Sequence, residues 1–267
     1  MRKIVLASVA VFAVTAAAPA DAQIFNWQGF YIGLNAGHGW ASASQSATPG
    51  SAWVGDPDWP AISNQLTRNL SLNGFTGGLQ IGANWQFANI VVGIEADANF
   101  MSTKKSYATP NFPGALGGTW NANGASAING FGTLRARAGV VVGNALIYAT
   151  GGLAVVDHNF SQRLSYLNVA PPPPQEIPPP RLPLTTAAGG LNSGAQSKSD
   201  FGFALGAGVE YQLTANWSVK GEYLYIGLNN LNASSRFVST TPLNYDVTHR
   251  DNKNSLQVVR LGVNFKF

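Results

Sequence analysis

Eight stretches of this chain alternate apolar residues with polar or small ones at a period of two, which places the two sets on opposite faces of β-strands. In the first, Phe30, Ile32, Leu34 and Ala36 alternate with Tyr31, Gly33, Asn35 and Gly37. The others cover 75–85, 90–100, 134–142, 146–158, 201–211, 219–225 and 259–267, with 146–158 the least clearly patterned. Where charges occur in these stretches, they share the polar face. Glu95 and Asp97 oppose Ile94, Ala96 and Ala98; Arg135 and Arg137 oppose Leu134, Ala136 and Ala138; Arg260 opposes Val259 and Leu261.

The spacing between stretches alternates short and long. Tight connections of turn residues fall at 87–89, 143–145 and 214–216. Long ones are expected over about 41–71, 103–126, 159–199 and 232–252. Four long loops count against a soluble domain, but short turns at one end and long loops at the other are the signature of a transmembrane barrel. Composition agrees. Charged residues make up 10% of the chain, against about 25% in ordinary soluble domains, while a mean hydropathy of +0.03 excludes a bundle of membrane helices. The expected fold is therefore all-β: an eight-stranded antiparallel transmembrane up-and-down β-barrel with short periplasmic turns and long extracellular loops.

The start of the chain fits export. Met1-Arg2-Lys3, an apolar run through Val14 and the small residues Ala20-Asp21-Ala22 have the parts of a secretory signal, too short for a membrane anchor. Residues 1–22 are expected to be the signal peptide and 23–267 the barrel domain of the cell outer membrane. The absence of cysteine removes thiolate metal sites and cysteine nucleophiles, and a formal charge of +4 leaves no nucleic-acid footprint.

A lysine or arginine facing lipid at mid-membrane costs about 2–4 kcal/mol, so the charged face must line the lumen. Closure also pairs every backbone group that lipid would leave unsatisfied. Glu95, Asp97, Arg135, Arg137, Glu210, Lys220, Glu222 and Arg260 are then expected to form one charge-balanced network. Counted from the turns, Glu210 should pair with Lys220, Arg137 with Glu95 and Arg135 with Asp97. A barrel of eight strands is just wide enough for its side chains to fill, which makes this network a plug. Trp27, Trp85, Trp217 and Phe267 are assigned to a periplasmic aromatic girdle, and Trp40, Phe100, Phe201 and Tyr225 to an outer one.

Other candidates carry less. Lys104, Lys105, Arg163, Arg236, Arg250 and Lys253 fall in or beside the long connections, suited to lipopolysaccharide phosphates at the outer rim. His38, His158 and His249 could serve a surface enzyme, but no G-x-S-x-G signature supports a nucleophile, and their spacing suits no metal. No catalytic, cofactor or metal residues are assigned. The prolines at 171–174, 178–180 and 183 should stiffen the third loop as polyproline II, either as a spacer or as a protein-binding epitope. Paired glycines such as Gly77-Gly78 lack the helix and lysine of a phosphate loop.

Taken in order, Trp27-Gln28-Gly29-Phe30-Tyr31-Ile32-Gly33-Leu34-Asn35-Ala36-Gly37, Gly93-Ile94-Glu95-Ala96-Asp97, Tyr148-Ala149-Thr150-Gly151-Gly152-Leu153-Ala154, Gly208-Val209-Glu210-Tyr211, Lys220-Gly221-Glu222-Tyr223-Leu224-Tyr225 and Val259-Arg260-Leu261-Gly262-Val263-Asn264-Phe265-Lys266-Phe267 resemble the small outer-membrane immunogenic, porin-family barrels of alphaproteobacteria. The resemblance implies a surface-exposed barrel associated with lipopolysaccharide, with envelope or antigenic roles and no catalytic residues to carry over. The Pro-rich third loop departs from that pattern. Phe265 and Phe267 end the last strand and, by analogy with other outer-membrane barrels, form the signal read by the assembly machinery. The function expected is structural and surface-interacting, in a monomer whose partners are outer-membrane lipid, lipopolysaccharide, the assembly machinery and an extracellular protein met through the loops. A narrow channel for small solutes and an outer-membrane enzyme acting on lipid or peptide remain alternatives.

Overall fold

The computed structural model describes residues 26–50, 54–114, 119–167, 190–228, 231–235 and 247–267. The expected signal segment 1–22, the Pro-rich stretch 171–183 and Arg236 lie outside them. In chain order the elements are β1 (Gly29–Pro49), α1 (Trp59–Leu66), β2 (Arg68–Phe87), β3 (Ile90–Ala108), β4 (Phe112–Pro113), β5 (Thr119–Val142), β6 (Ala145–Leu167), β7 (Gly190–Gln212), β8 (Trp217–Leu228), β9 (Leu231–Ser235) and β10 (Val247–Lys266). The long strands pair antiparallel with their neighbours in sequence, and β10 returns to β1, from Tyr31 opposite Lys266 up to Pro49 opposite Val247. The sheet is thereby a ring without edges at membrane height, as an all-β chain in lipid requires. Two strands beyond the alternating stretches, β4 and β9, are short additions that pair with β5 and β10.

The tight connections are hairpin turns. Phe87 faces Ile90 across Ala88-Asn89, and Ala88 adopts a positive φ of 53°, as a two-residue hairpin demands. Gly143-Asn144 turns β5 into β6 with Gly143 at φ +59°. Phe30, Ile32 and Leu34 on β1 and Leu79, Ile81 and Trp85 on β2 all stand exposed outward, and the same holds for the apolar faces of β3, β7 and β10.

The other end differs from expectation. The strands run far into the stretches assigned to loops: β1 continues to Pro49, β2 begins at Arg68, β3 reaches Ala108, and β5 and β6 extend to Thr119 and Leu167. A tilted strand needs about ten residues to cross the bilayer, so strands of 19 to 24 residues project well beyond it. The reason is a change of solvent without a change of pleat. Above the outer girdle the inward positions turn apolar, with Leu70, Leu72, Ala122, Ile128, Val156 and Leu164 buried, while Ser42, Ser71, Asn73, Ser102 and Lys104 are exposed outside. The phase of two runs on through β1, β2 and β3, and a bulge at Asn129 shifts it by one residue on β5, but water has replaced lipid as the outer medium. A search for apolar-outward alternation therefore stops at the membrane rim.

The lumen is filled in layers. Trp27, Val91, Leu146 and Tyr148 close the periplasmic end. Charged and amide side chains fill the middle. An apolar layer that includes Phe131, Val156, Leu224, Ile226 and Leu256 lies above them. At the top α1, started by Pro60 in its first turn, lays Ile62 and Leu66, four residues apart on one face, against Trp120, Ala122 and Leu164. Asp58, the residue preceding α1, accepts a hydrogen bond from the Trp120 indole at 3.0 Å, which ties the helix to β5.

Candidate functional site

The middle of the lumen holds the chain's densest chemistry. Arg135 on β5 reaches three carboxylates: Glu95 at 2.5 Å, Asp97 at 2.8 Å and Glu222 at 3.0 Å. Arg260 on β10 contacts Glu222 at 2.6 Å and Asp97 at 3.0 Å. Lys220 places its Nζ 2.8 Å from Glu95. Arg137 joins Glu210 at 3.0 Å and stands 3.8 Å from Glu95. Four acids and four bases from β3, β5, β7, β8 and β10 are thus contiguous, all buried and charge-balanced.

Buried charges are tolerated best when their remaining donors and acceptors are also satisfied, and here Arg137 Nη2 is left without a hydrogen-bond partner among the described residues. Glu210 accepts hydrogen bonds from Ser218 at 2.5 Å and Asn264 at 2.7 Å. Asp97 accepts from Thr133 and Asn99, and Arg137 Nε donates to Asn84 at 2.8 Å.

Two of the pairs counted from the turns are present, Arg135 with Asp97 at 2.8 Å and Arg137 with Glu95 at 3.8 Å, but the third is not and the strand register differs. Glu210 and Lys220 do face each other across β7 and β8, yet each bonds across the lumen, Lys220 to Glu95 and Glu210 to Arg137. Glu95 stands opposite Arg135, and Arg137 opposite Gly93, one pair away from the expected register. A long side chain in a narrow lumen reaches the far wall as easily as its own neighbour, so depth alone does not select partners.

Two tyrosines complete the site. Tyr31 on β1 crosses Gly82 on β2, its cross-strand partner, and donates to Glu95 Oε2 at 2.7 Å. Tyr148 on β6 crosses its partner Gly208 on β7 and donates to Glu222 Oε1 at 3.1 Å. The Arg137 guanidinium lies between the two rings, 4.9 Å from Tyr31 and 5.2 Å from Tyr148, within cation–π range. A Cβ at either glycine would collide with the tyrosine above it. Gly82→Ala should lower stability by about 1–3 kcal/mol, and more than Tyr31→Phe, which removes only one hydrogen bond; urea unfolding in detergent micelles measures both. Neither tyrosine is singled out by its residue type. The available signal is a tyrosine on the polar face with glycine opposite it.

Trp27 is a second correction. The expected periplasmic girdle includes it, but its side chain is 3% exposed and packs inside the lumen mouth. Its backbone N–H donates to Gln86 Oε1 at 2.7 Å, folding the segment before β1 inward. Trp85, Trp217 and Phe267 face outward at the periplasmic end, and Trp40, Phe100, Phe201 and Tyr225 face outward higher up.

The remaining candidates do not converge. Lys104 and Lys105 are exposed on β3, not in a loop. Arg163 lies in β6, and Arg250 and Lys253 lie in β10; their side chains fall outside the described residues. His38 points outward, edge-on to Trp40 at 5.0 Å, whereas His158 is buried with Nε2 2.7 Å from Ser126 Oγ. The neighbouring cavity has room for about 20 Å³, roughly one water, so the Ser126–His158 pair has no substrate space. The side chain of His249 lies outside the described residues.

Comparison with known proteins agrees with this architecture. The family model described as the outer membrane protein beta-barrel domain matches residues 4–267. The 31 kDa outer-membrane immunogenic protein of Brucella melitensis biotype 1 is 31% identical over 282 residues, covering 100% of both chains. The 25 kDa outer-membrane immunogenic protein of Brucella canis is 28% identical, covering 93% of this chain and 84% of its own. The 22 kDa outer membrane protein of Rhizobium leguminosarum bv. viciae is 29% identical over 57% of this chain and 52% of its own. A ring of antiparallel strands with a lipid-facing apolar surface and a full-length family match leave one conclusion: the chain belongs to the outer membrane protein beta-barrel domain family and is a β-barrel protein of the outer membrane.

Proposed function

We propose that this barrel is a sealed structural element of the outer membrane that presents a surface outside the cell, and neither conducts solutes nor catalyses a reaction. The observation that carries this reading is the filled lumen. The charge network is held by contacts from five strands, and an apolar layer of Leu224, Ile226 and Leu256 sits directly above it. A hydrated solute would have to break several buried ion pairs and then cross a dry layer, and each step is costly.

Reconstitution in planar bilayers tests the proposal. Wild-type protein should give no steady single-channel steps, and Arg137→Ala should not create an ordered series of them. Steady steps from wild type whose size changes with Arg137→Ala would overturn the sealed reading in favour of a narrow pore.

The partners that fit this role are lipid, lipopolysaccharide, the assembly machinery and an extracellular protein meeting the outer surface, with the barrel acting as a monomer. Support for the lipopolysaccharide contact comes from Lys104, which is exposed on the outer face just above the aromatic girdle and has no ion pair among the described residues. Its neighbour Lys105 stands opposite the inward Ser126 and is on the other face of β3.

A further inference from the structure

On the lipid-facing wall, just below Lys104, the apolar surface is interrupted by a groove of about 860 Å³. Its cause lies in the register. One cross-strand row reads Leu34, Leu79, Ala98, Gly132, Val155, and the next row up reads Ala36, Gly77, Phe100, Gly130, Asp157. Ala98, Gly132 and Gly130 therefore leave a slot along β3 and β5, with Leu79 and Phe100 on one side and Val155 on the other. Below it Leu134, the next outward residue of β5, stands 57% exposed and closes the slot. The slot opens upward, at the height of the aromatic rim formed by Phe75 and Phe100, whose rings are 6.1 Å apart.

The mouth of this slot is polar and of mixed charge. On the β3 side Ser102 and Lys104 follow Phe100 outward, and Lys104 lies opposite Ala127, whose neighbours Ser126 and Ile128 are buried inside. On the β6 side Asp157 lines the groove and accepts a hydrogen bond from Asn129 at 3.1 Å. A hydrocarbon slot bounded by a cation on one side and a carboxylate on the other suits a particular lipid chemistry. The cation calls for phosphate, and the carboxylate calls for hydrogen-bond donors near the root of the acyl chain. Amide-linked, hydroxylated chains carry such donors; ester-linked glycerophospholipid chains do not. A second copy of the barrel suits the slot less well, because a two-fold contact centred there would bring the lysines of both copies together.

We infer that the slot between Leu79 and Val155 seats an amide-linked acyl chain of a phosphorylated glucosamine lipid of the outer leaflet, with its phosphate toward Lys104 and its amide and hydroxyl donors toward Asp157. The inference deepens the lipopolysaccharide contact proposed above and rests on it. Such a lipid would be a fixed part of the barrel wall.

Native mass spectrometry of the full barrel in mild detergent tests this, with bis-phosphorylated lipid A, its dephosphorylated form and phosphatidylglycerol as probes. Wild type should hold one lipid A, with at least tenfold weaker binding of the other two. Ala98→Phe and Gly132→Leu fill the slot from outside and should each cut lipid A binding at least tenfold, with heat-modifiable migration retained. Lys104→Gln should weaken lipid A to the level of the dephosphorylated probe. Undiminished binding by both slot variants overturns the slot but leaves a lysine contact intact, whereas undiminished binding by the lysine variant overturns the contact itself. Equal binding of phosphatidylglycerol overturns the amide-linked assignment. A dimer that disappears in Ala98→Phe would identify a second copy as the occupant.

Discussion

Glu95→Ala should destabilise the folded barrel by about 3–5 kcal/mol, the cost of leaving a buried charge without its partner. Glu95 accepts from Arg135, Lys220 and Tyr31 at 2.5, 2.8 and 2.7 Å. Arg135 keeps Asp97 and Glu222 after the substitution. Lys220 does not fare as well, because its next carboxylate, Glu222, is 4.0 Å away and already engaged by Arg135 and Arg260. The variant lumen therefore carries one uncompensated positive charge. Urea unfolding in lipid vesicles, followed by tryptophan fluorescence, reads the loss. Adding Lys220→Met should restore most of it, since a neutral apolar replacement of both partners is often tolerated. Unfolding of Glu95→Ala at the wild-type midpoint would show that the network contributes nothing to stability.

Deleting Phe267 should remove most of the folded form from the outer membrane at unchanged synthesis, whereas deleting 171–183 should not. Phe267 donates its backbone N–H to Phe30 O at 3.0 Å, the last rung between β10 and β1. Its ring meets Phe265 at 5.3 Å, and Phe265 meets Trp217 at 5.0 Å, both edge to face, so the terminus is a ladder of aromatics on the lipid side. The neighbouring Lys266 is stitched to the β7–β8 turn through Asn216, which exchanges two hydrogen bonds of 2.8 Å with its backbone. Losing Phe267 therefore opens the seam where the ring closes and removes the terminal aromatic proposed as the assembly signal. Pulse-chase labelling with heat-modifiable migration measures it, and normal assembly without Phe267 would sink the assignment.

The closed barrel was legible in the chain because one rule, charges away from lipid, fixes the faces of β3, β5, β7, β8 and β10, and the period of two carries β1 and β2 with them. Arg135, Glu222 and Arg260 could be turned inward on that ground alone. Partner choice was legible only in part: Arg135 does meet Asp97 and Arg137 approaches Glu95, but Lys220 bonds to Glu95 across the lumen while Glu210 stands beside it, and sequence spacing carries no information about the far wall. Trp27 escaped because a tryptophan next to a strand end reads equally well as girdle or stopper; the difference is made by a bond from its backbone to Gln86. Tyr31 and Tyr148 escaped because their role depends on glycines in neighbouring strands. The extents of β1, β2, β3, β5 and β6 were underestimated because the inside–outside preference inverts at the rim.

That inversion separates two kinds of freedom in the part of the molecule outside the cell. Inward positions such as Leu72, Ile128 and Leu256 answer to packing, while outward ones such as Ser42, Ser71 and Asn73 are exposed. Sequence can drift on the outer set without consulting the inner one. The exterior is then a rigid display whose lettering can be rewritten position by position while the frame behind it stays the same.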